Sequence, residues 1–370
     1  MQQRFSALDS LRAVLALSVC IYHTPDFWGW SAPQHSLAVD LFFLLGGFVV
    51  AHAYERKLLD GRMSFRGFVL ARLIRLYPLY LLSLLASALP LLAAMLLHHN
   101  QPEHIVIEYF QATFLGLLML PAHISDNPVL LFPLNIVYWS LLFALLTNFL
   151  YARMIRWLTD RVLYIVIAAA ATVLIVLAPH AHGISSLGAT WGWRSLGGGL
   201  ARATFGMATG ALLFRRYARI PRWLVSERGY LLPLAVVVAA LCIPSSRLDW
   251  LVQPGLTFFV LPWCVASAVR GPQPGQNGVL SLLGAVSYPV YVLNMPLAHI
   301  ARVLVSDRTS HLISRSAPVS GLVFVAAVFL LALAADRWLD QPVRRWLTAR
   351  TFRKPLVLEP AAIHQASGNV

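Results

Sequence analysis

The side chains best suited to chemistry in this sequence are charged or titratable groups that interrupt apolar stretches. Inside a membrane such a group costs on the order of several kcal/mol unless it is paired or hydrated, so each one marks a candidate site. The first apolar run, LDSLRAVLALSVCIYH, carries Arg12 and His23. On a helix rising about 1.5 Å per residue they stand about 16 Å apart, and their spacing is close to three turns, so they share a face. Arg12 falls near one end of that helix and His23 near the other, where both can line one cavity. The structural alternatives are a snorkelling arginine at the interface and a histidine that merely caps the helix end. Asp9 can cap the helix start or pair with Arg12.

The next run, AVDLFFLLGGFVVAHAY, places Asp40 at its outer end, level with His23 on an antiparallel neighbour. A carboxylate there can hold an imidazole and stabilise its charged form; a plain N-cap is the alternative. Gly46 and Gly47 permit close helix contact. In ARLIRLYPLY, Arg72 and Arg75 lie three residues apart, with Arg66 about a turn further back. Guanidinium groups bind phosphate in a bidentate manner, so this stripe suits a phosphate-rich ligand such as coenzyme A approaching from the cytoplasm. Lipid headgroups are the other anions it would meet there.

The elements that must position these groups follow from composition. Of 370 residues, 58% are hydrophobic and 12% charged, with a mean hydropathy of +0.68. A soluble domain carries about twice that charged fraction. Apolar runs near the ~20 residues of a bilayer crossing recur at 8–24, 37–54, 74–97, 133–151, 162–178, 196–214, 230–243, 254–270, 279–304 and 317–336. The expected fold is all-α: a polytopic membrane protein of about ten transmembrane helices in one bundle. The three cysteines, Cys20, Cys242 and Cys264, lie in apolar runs without ligand spacing, and no metal site is expected. Arg12 and His23 in the first run, with no small-residue cleavage site after it, argue against a cleaved signal peptide.

A net charge of +14 would suggest nucleic acid in a soluble protein. Here the arginines gather in short gaps between apolar runs, the positive-inside pattern. With ten spans and both termini cytoplasmic, the inner gaps hold Arg56 to Arg75, Arg153 to Arg161, Arg215 to Arg228 and Arg270, and the tail holds Arg344 to Lys354. The outer gaps are poor in Lys and Arg, the last holding Arg308 and Arg315. Residues 104–120 are an eleventh apolar stretch. If it crossed, the later arginine-rich gaps would fall outside, so it is expected to be re-entrant or to lie at the outer surface, beside His98, His99, Asn100, Gln101, Pro102 and Glu103. A membrane domain over 1–347 and a mobile cytoplasmic tail over 348–370 are expected.

Six segments in order, SALDSLRAVLALSVCIYH, AVDLFFLLGGF, ARLIRLYPLY, PLNIVYWSLLFALLTNFLY, SYPVYVLNMPL and LDQPVRRWL, resemble the acyltransferase-3 family of integral membrane acyltransferases. The resemblance implies a membrane-bound O-acyltransferase of the bacterial inner membrane. Such a protein moves an acyl group, by default acetyl, from acyl-CoA as co-substrate onto a carbohydrate or glycolipid acceptor, with no permanently bound cofactor and no nucleic acid partner. It implies a catalytic role for His23, as general base or transient acyl carrier, with Asp40 as its orienting group. Arg12, Arg72 and Arg75 would bind CoA phosphates, and Trp139, Ser140, Tyr291 and Asn294 are candidate lining residues for which core packing is the alternative.

The chain departs from the family pattern at Gly46, where Ser is frequent, at Ala144, where the family has Glu, and at Asn294, where it has His; Asp340 replaces Glu conservatively. Ala144 leaves open a catalytically degenerate member that binds or passes a ligand. A transporter or flippase is the third reading, disfavoured because the titratable groups cluster around His23 and no internal repeat is visible.

Overall fold

The computed structural model describes residues 5–31, 33–97, 102–177, 192–222, 225, 229–271, 273, 278–305 and 310–352. His98 to Gln101, Arg228, Arg308 and the expected mobile tail from residue 353 onward lie outside the described residues. Among those described the chain is all-helical apart from an isolated β-bridge between Leu130 and Gly192. Each apolar run found in the sequence coincides with a helix.

Helix α1 spans Ser6–Tyr22, and a short turn, α2, spans Pro25–Trp28. Helix α3 spans Leu37–Val50 and continues through a π turn, Ala51–Glu55, to Leu59. Then follow α4 (Phe65–Leu97), α5 (Glu103–Leu117), α6 (Tyr138–Met154), α7 (Asp160–Leu177) and α8 (Leu196–Arg216). Helix α9 covers Leu231–Leu241, α10 Asp249–Arg270 with a π turn at Leu256–Val260, α11 Gly278–Leu304, α12 Ser310–Arg315 and α13 Val319–Thr351 with another π turn at Asp336–Asp340.

Five segments, Gln34–Leu59, Phe65–Pro90, Asp160–Leu177, Asp249–Arg270 and Val319–Thr351, are long and apolar enough to cross a membrane. Helix α4 starts well before the run at 74–97, because the sequence RGFVLARLIR alternates charge with apolar residues at helical spacing. Arg66, Arg72 and Arg75 therefore all sit on this helix rather than in the gap before it.

The core is built on close backbone approach. Helix α8 packs along α3 and α7, and α1 packs along α11. A Cβ on Gly206 would stand 2.5 Å from the Cβ of Phe43, and one on Gly210 or Gly47 would strike the carbonyl oxygen of Leu44 or Met207. Gly206 and Gly210 form a small-xxx-small stripe that lets α8 lie against α3. Gly47 thus has the packing role its residue type suggested, whereas Gly46 faces open space.

Proline sets a second contact. Pro296 in α11 has no N–H to give the carbonyl of Val292 one turn earlier. Ser83 Oγ donates to that oxygen at 2.6 Å and Asn135 Nδ2 at 3.2 Å. Tyr138 donates to Ser83 at 2.8 Å, so α4, α6 and α11 are tied at one buried polar node.

Helix α5 is the stretch that charge patterning keeps from crossing. Its 15 residues fall short of the ~20 needed. Tyr77 and Tyr80 of α4 donate to the carbonyls of Leu117 and Gly116 at 2.9 and 2.7 Å, satisfying its C-terminal end. Midway along it Glu108 accepts from the Ser125 N–H at 2.6 Å and Oγ at 2.7 Å, which holds its carboxyl below the usual carboxylate range.

Candidate active site

A cavity of about 250 Å³ opens among α1, α3, α4, α6 and α11. Arg12 enters it from α1, Arg72 and Arg75 from α4, Ser140 and Ala144 from α6, and Tyr288 and Tyr291 from α11; Gly46 forms part of the α3 wall. Helical periodicity selects these residues. Ser140, Ala144, Thr147 and Asn148 recur at i, i+4, i+7 and i+8, and Gly284, Ser287, Tyr288 and Tyr291 follow the same periodicity on α11.

The three arginines named from the sequence therefore meet at one place. Arg12 Nη1 lies 3.4 Å from Asp9. Arg75 Nη1 lies 3.5 Å from Asp340, with its guanidinium 5.8 Å from the centre of the Tyr288 ring. Arg72 forms no ion pair among the described residues, and its buried Nε has no hydrogen-bond partner there. No carboxylate is among the residues lining the cavity. A buried guanidinium without a counter-ion is expensive, so this geometry favours an anionic ligand.

Ser140 and Tyr291 face each other with hydroxyl oxygens 2.5 Å apart. Both line the cavity, whereas Trp139 and Asn294 do not. Trp139 points about 100° around α6 from Ser140 and packs its ring 6.1 Å from those of both Phe43 and Phe143. Asn294 is fully buried one turn beyond Tyr291, and its Nδ2 donates back to the carbonyls of Val290 and Tyr291 at 3.2 and 2.6 Å.

His23 caps the C-terminus of α1 and is partly buried. It does not line the cavity; Arg12 stands about 16 Å away along the helix axis. Arg302 and His299 of α11 lie near its ring. Arg302 Nη2 donates to the His23 carbonyl at 3.4 Å. The same guanidinium grips Asp26 of α2 through Nε at 3.0 Å and Nη2 at 2.7 Å, fixing the corner where the chain leaves α1.

Asp40 requires a correction. It lies in the first turn of α3, but Ser36 occupies the N-cap position, and neither capping nor a bond to His23 uses the carboxylate. Arg202 of α8 takes both oxygens, Nε to Oδ1 at 2.7 Å and Nη2 to Oδ2 at 2.6 Å, and Thr257 adds a contact at 3.4 Å. The Arg202 and Asp40 side chains are 1% and 4% exposed, so this is a bidentate pair sealed from solvent. Asp9 likewise lies inside α1, whose N-cap position is Phe5, and pairs with Arg12.

Sequence reasoning missed Arg202, Arg302 and Asp26. The signal was present for Arg202, an isolated charge in the run LGGGLARATFGMATG, which the rule applied to Arg12 and Asp40 should have flagged. A third cluster went unnoticed for the same reason. Glu55 in the π turn of α3 accepts from Arg215 at 2.9 Å and from Tyr151, and Arg215 and Arg216 both reach Asp160.

No solved structure matches the chain. The chain is similar to "Protein 2 in picA locus" of Rhizobium radiobacter, 39% identical over 184 residues, which is 48% of this chain and 95% of that protein. The family model for the acyltransferase domain of the acyltransferase-3 type matches residues 5–337, a stretch holding Arg12, His23, the Arg72–Arg75 pair and nearly every helix around the cavity, and the chain belongs to that family of membrane acyltransferases.

Proposed function

We propose that this protein transfers an acyl group, by default acetyl, from acyl-CoA to a hydroxyl of a carbohydrate or glycolipid acceptor. The observation that carries this reading is the convergence of Arg12, Arg72 and Arg75 on one cavity, at the opposite end of α1 from His23. In this reading the three guanidiniums hold the pyrophosphate of the donor, and the pantetheine arm runs along α1 toward His23.

The thioester is already activated, so the protein has to supply positioning and proton transfer. His23 takes the proton of the acceptor hydroxyl as its oxygen attacks the thioester carbonyl. A new C–O bond forms, the C–S bond breaks, and the departing thiolate takes up a proton to leave as free CoA. Asp40 contributes through Arg202 by holding the outer end of α3, not by touching His23. A bilayer of the bacterial inner membrane, crossed by about ten helices with both chain ends in the cytoplasm, completes the proposal, with 1–347 as the membrane domain; it rests on the arginine distribution between apolar runs.

Ala144 favours a second reading. It lines the cavity where the family places Glu, and a member lacking that carboxylate can bind a donor without turning it over. Membranes containing the wild type, His23→Ala or Ala144→Glu, incubated with radiolabelled acetyl-CoA and extracted envelope glycans, separate the two. Label in the glycan fraction with the wild type and none with His23→Ala is the expected result. Label from Ala144→Glu alone would make the natural chain a binding protein, and label undiminished in His23→Ala would remove His23 from the chemistry.

A further inference from the structure

A second hollow adjoins the cavity. It is an open groove of about 1200 Å³ between the first turns of α4 and the last turns of α13. Arg75 lines both the groove and the cavity, so an extended ligand can occupy the two together. At about 250 Å³ the inner cavity falls below the ~300–1,000 Å³ typical of sites that enclose a whole cofactor-sized ligand. It fits an extended arm rather than a nucleotide. The groove has room for the remainder.

The groove is strongly cationic. Arg62, Arg75, Arg344 and Arg345 line it, and no acidic side chain does so among the described residues. Two of these guanidiniums are anchored by a buried carboxylate. Asp340, itself wholly buried, holds Arg344 Nε at 3.0 Å and Arg75 Nη1 at 3.5 Å. That carboxylate sits in the π turn of α13, one turn before Arg344. Tyr54 and Phe352 add aromatic surface to the same walls. Clustered guanidiniums beside an aromatic ring match a phosphorylated nucleoside: the rings take the base face and the arginines take a phosphomonoester, whose charge approaches −2 near neutral pH.

We infer that this groove is a nucleotide subsite in which Arg344 and Arg345 of the C-terminal helix bind a ribose phosphomonoester, the 3′-phosphate of a CoA donor, while the inner cavity takes the pyrophosphate and arm. The inference rests on the acyl-CoA reading and extends it to residues on α13. An anionic lipid headgroup offers related phosphate chemistry but carries a phosphodiester, with a single negative charge and no base.

Equilibrium binding separates these outcomes without requiring turnover. The full chain is placed in nanodiscs of phosphatidylcholine, and the affinities of CoA and 3′-dephospho-CoA are measured by calorimetry for the wild type, Arg345→Gln and the double variant Arg344→Gln/Arg345→Gln. A charge-assisted contact predicts that the wild type binds CoA about 10-fold or more tightly than the dephospho form. The double variant should bind both equally, at the affinity the wild type has for the dephospho form. Because Arg345 is exposed and holds only Gln341, at 3.4 Å, the single variant tests the same point where loss of the Arg344–Asp340 pair prevents folding; it should lose part of the preference.

A wild type that binds CoA and its dephospho form alike, or variants that keep the full preference, would overturn the subsite while leaving the acyl-CoA reading intact. Binding of neither ligand would remove both. Repeating the measurement in phosphatidylglycerol nanodiscs tests the lipid: a preference that disappears there makes the headgroup the occupant and overturns the nucleotide assignment.

Discussion

The two ends of α1 treat charge in opposite ways. Around the His23 end two carboxylates are closed on arginine partners: Asp40 on Arg202, and Asp26 on Arg302. At the Arg12 end Arg12 is only loosely matched by Asp9, and Arg72 stands in the cavity without a counter-ion among the described residues. Removing one member of a buried pair leaves an uncompensated charge, so each partner is required by the fold once the other is buried. An unpaired guanidinium does the reverse: its burial is costly, and an anionic ligand offsets that cost. The contrast therefore separates scaffold from site within a single bundle.

Breaking the Asp40–Arg202 pair should have the largest effect. Asp40→Ala leaves Arg202 buried and unpaired, and should destabilise the protein by about 3–5 kcal/mol, read as a fall in the detergent unfolding midpoint. Asp40→Leu with Arg202→Met should recover much of that loss. If Asp40→Ala unfolds like the wild type but loses acyl transfer, the pair belongs to the chemistry and the contrast fails.

Arg72→Ala should act in the opposite sense. Stability should stay level or rise, while the affinity for acyl-CoA falls by about 1.5–3 kcal/mol, roughly 10- to 150-fold, as expected for a lost charged hydrogen bond. Stability that falls with affinity would show Arg72 to be a structural group like Arg202.

The smallest effect is expected from Gly47→Ala, which places a methyl against the Met207 carbonyl and should cost about 1–3 kcal/mol by overpacking. Because Gly47 lies one residue from Gly46 on the cavity wall, a change in donor affinity beyond that stability loss would mean that the α3–α8 contact also sets the width of the cavity.

Much of this was legible along the chain. Arg12, Arg72 and Arg75 could be singled out because charge in an apolar run is conspicuous, whereas Ser140 and Tyr291 came from the family resemblance alone. Trp139 and Asn294 were misplaced because neither composition nor motif reports rotation within a helix to better than a residue. Asp40 was assigned to His23 because antiparallel neighbours made the two level, and level groups need not face each other. Its actual partner, Arg202, is 162 residues away in sequence, and no local pattern links them.

The sequence by itself determined that the chain is helical and membrane-adapted, which residues are too polar to be idle there, and which gaps carry the positive charge, because these depend on local hydropathy and on periodicities of a few residues. Only the tertiary structure decided which charges meet: that Asp40 closes on Arg202, that Arg72 is left facing a cavity, and that the arginines of the last helix come down beside those of α4. Pairing over such distances depends on how the helices pack, and here packing is set by glycine contacts and proline-freed carbonyls whose partners lie on other helices.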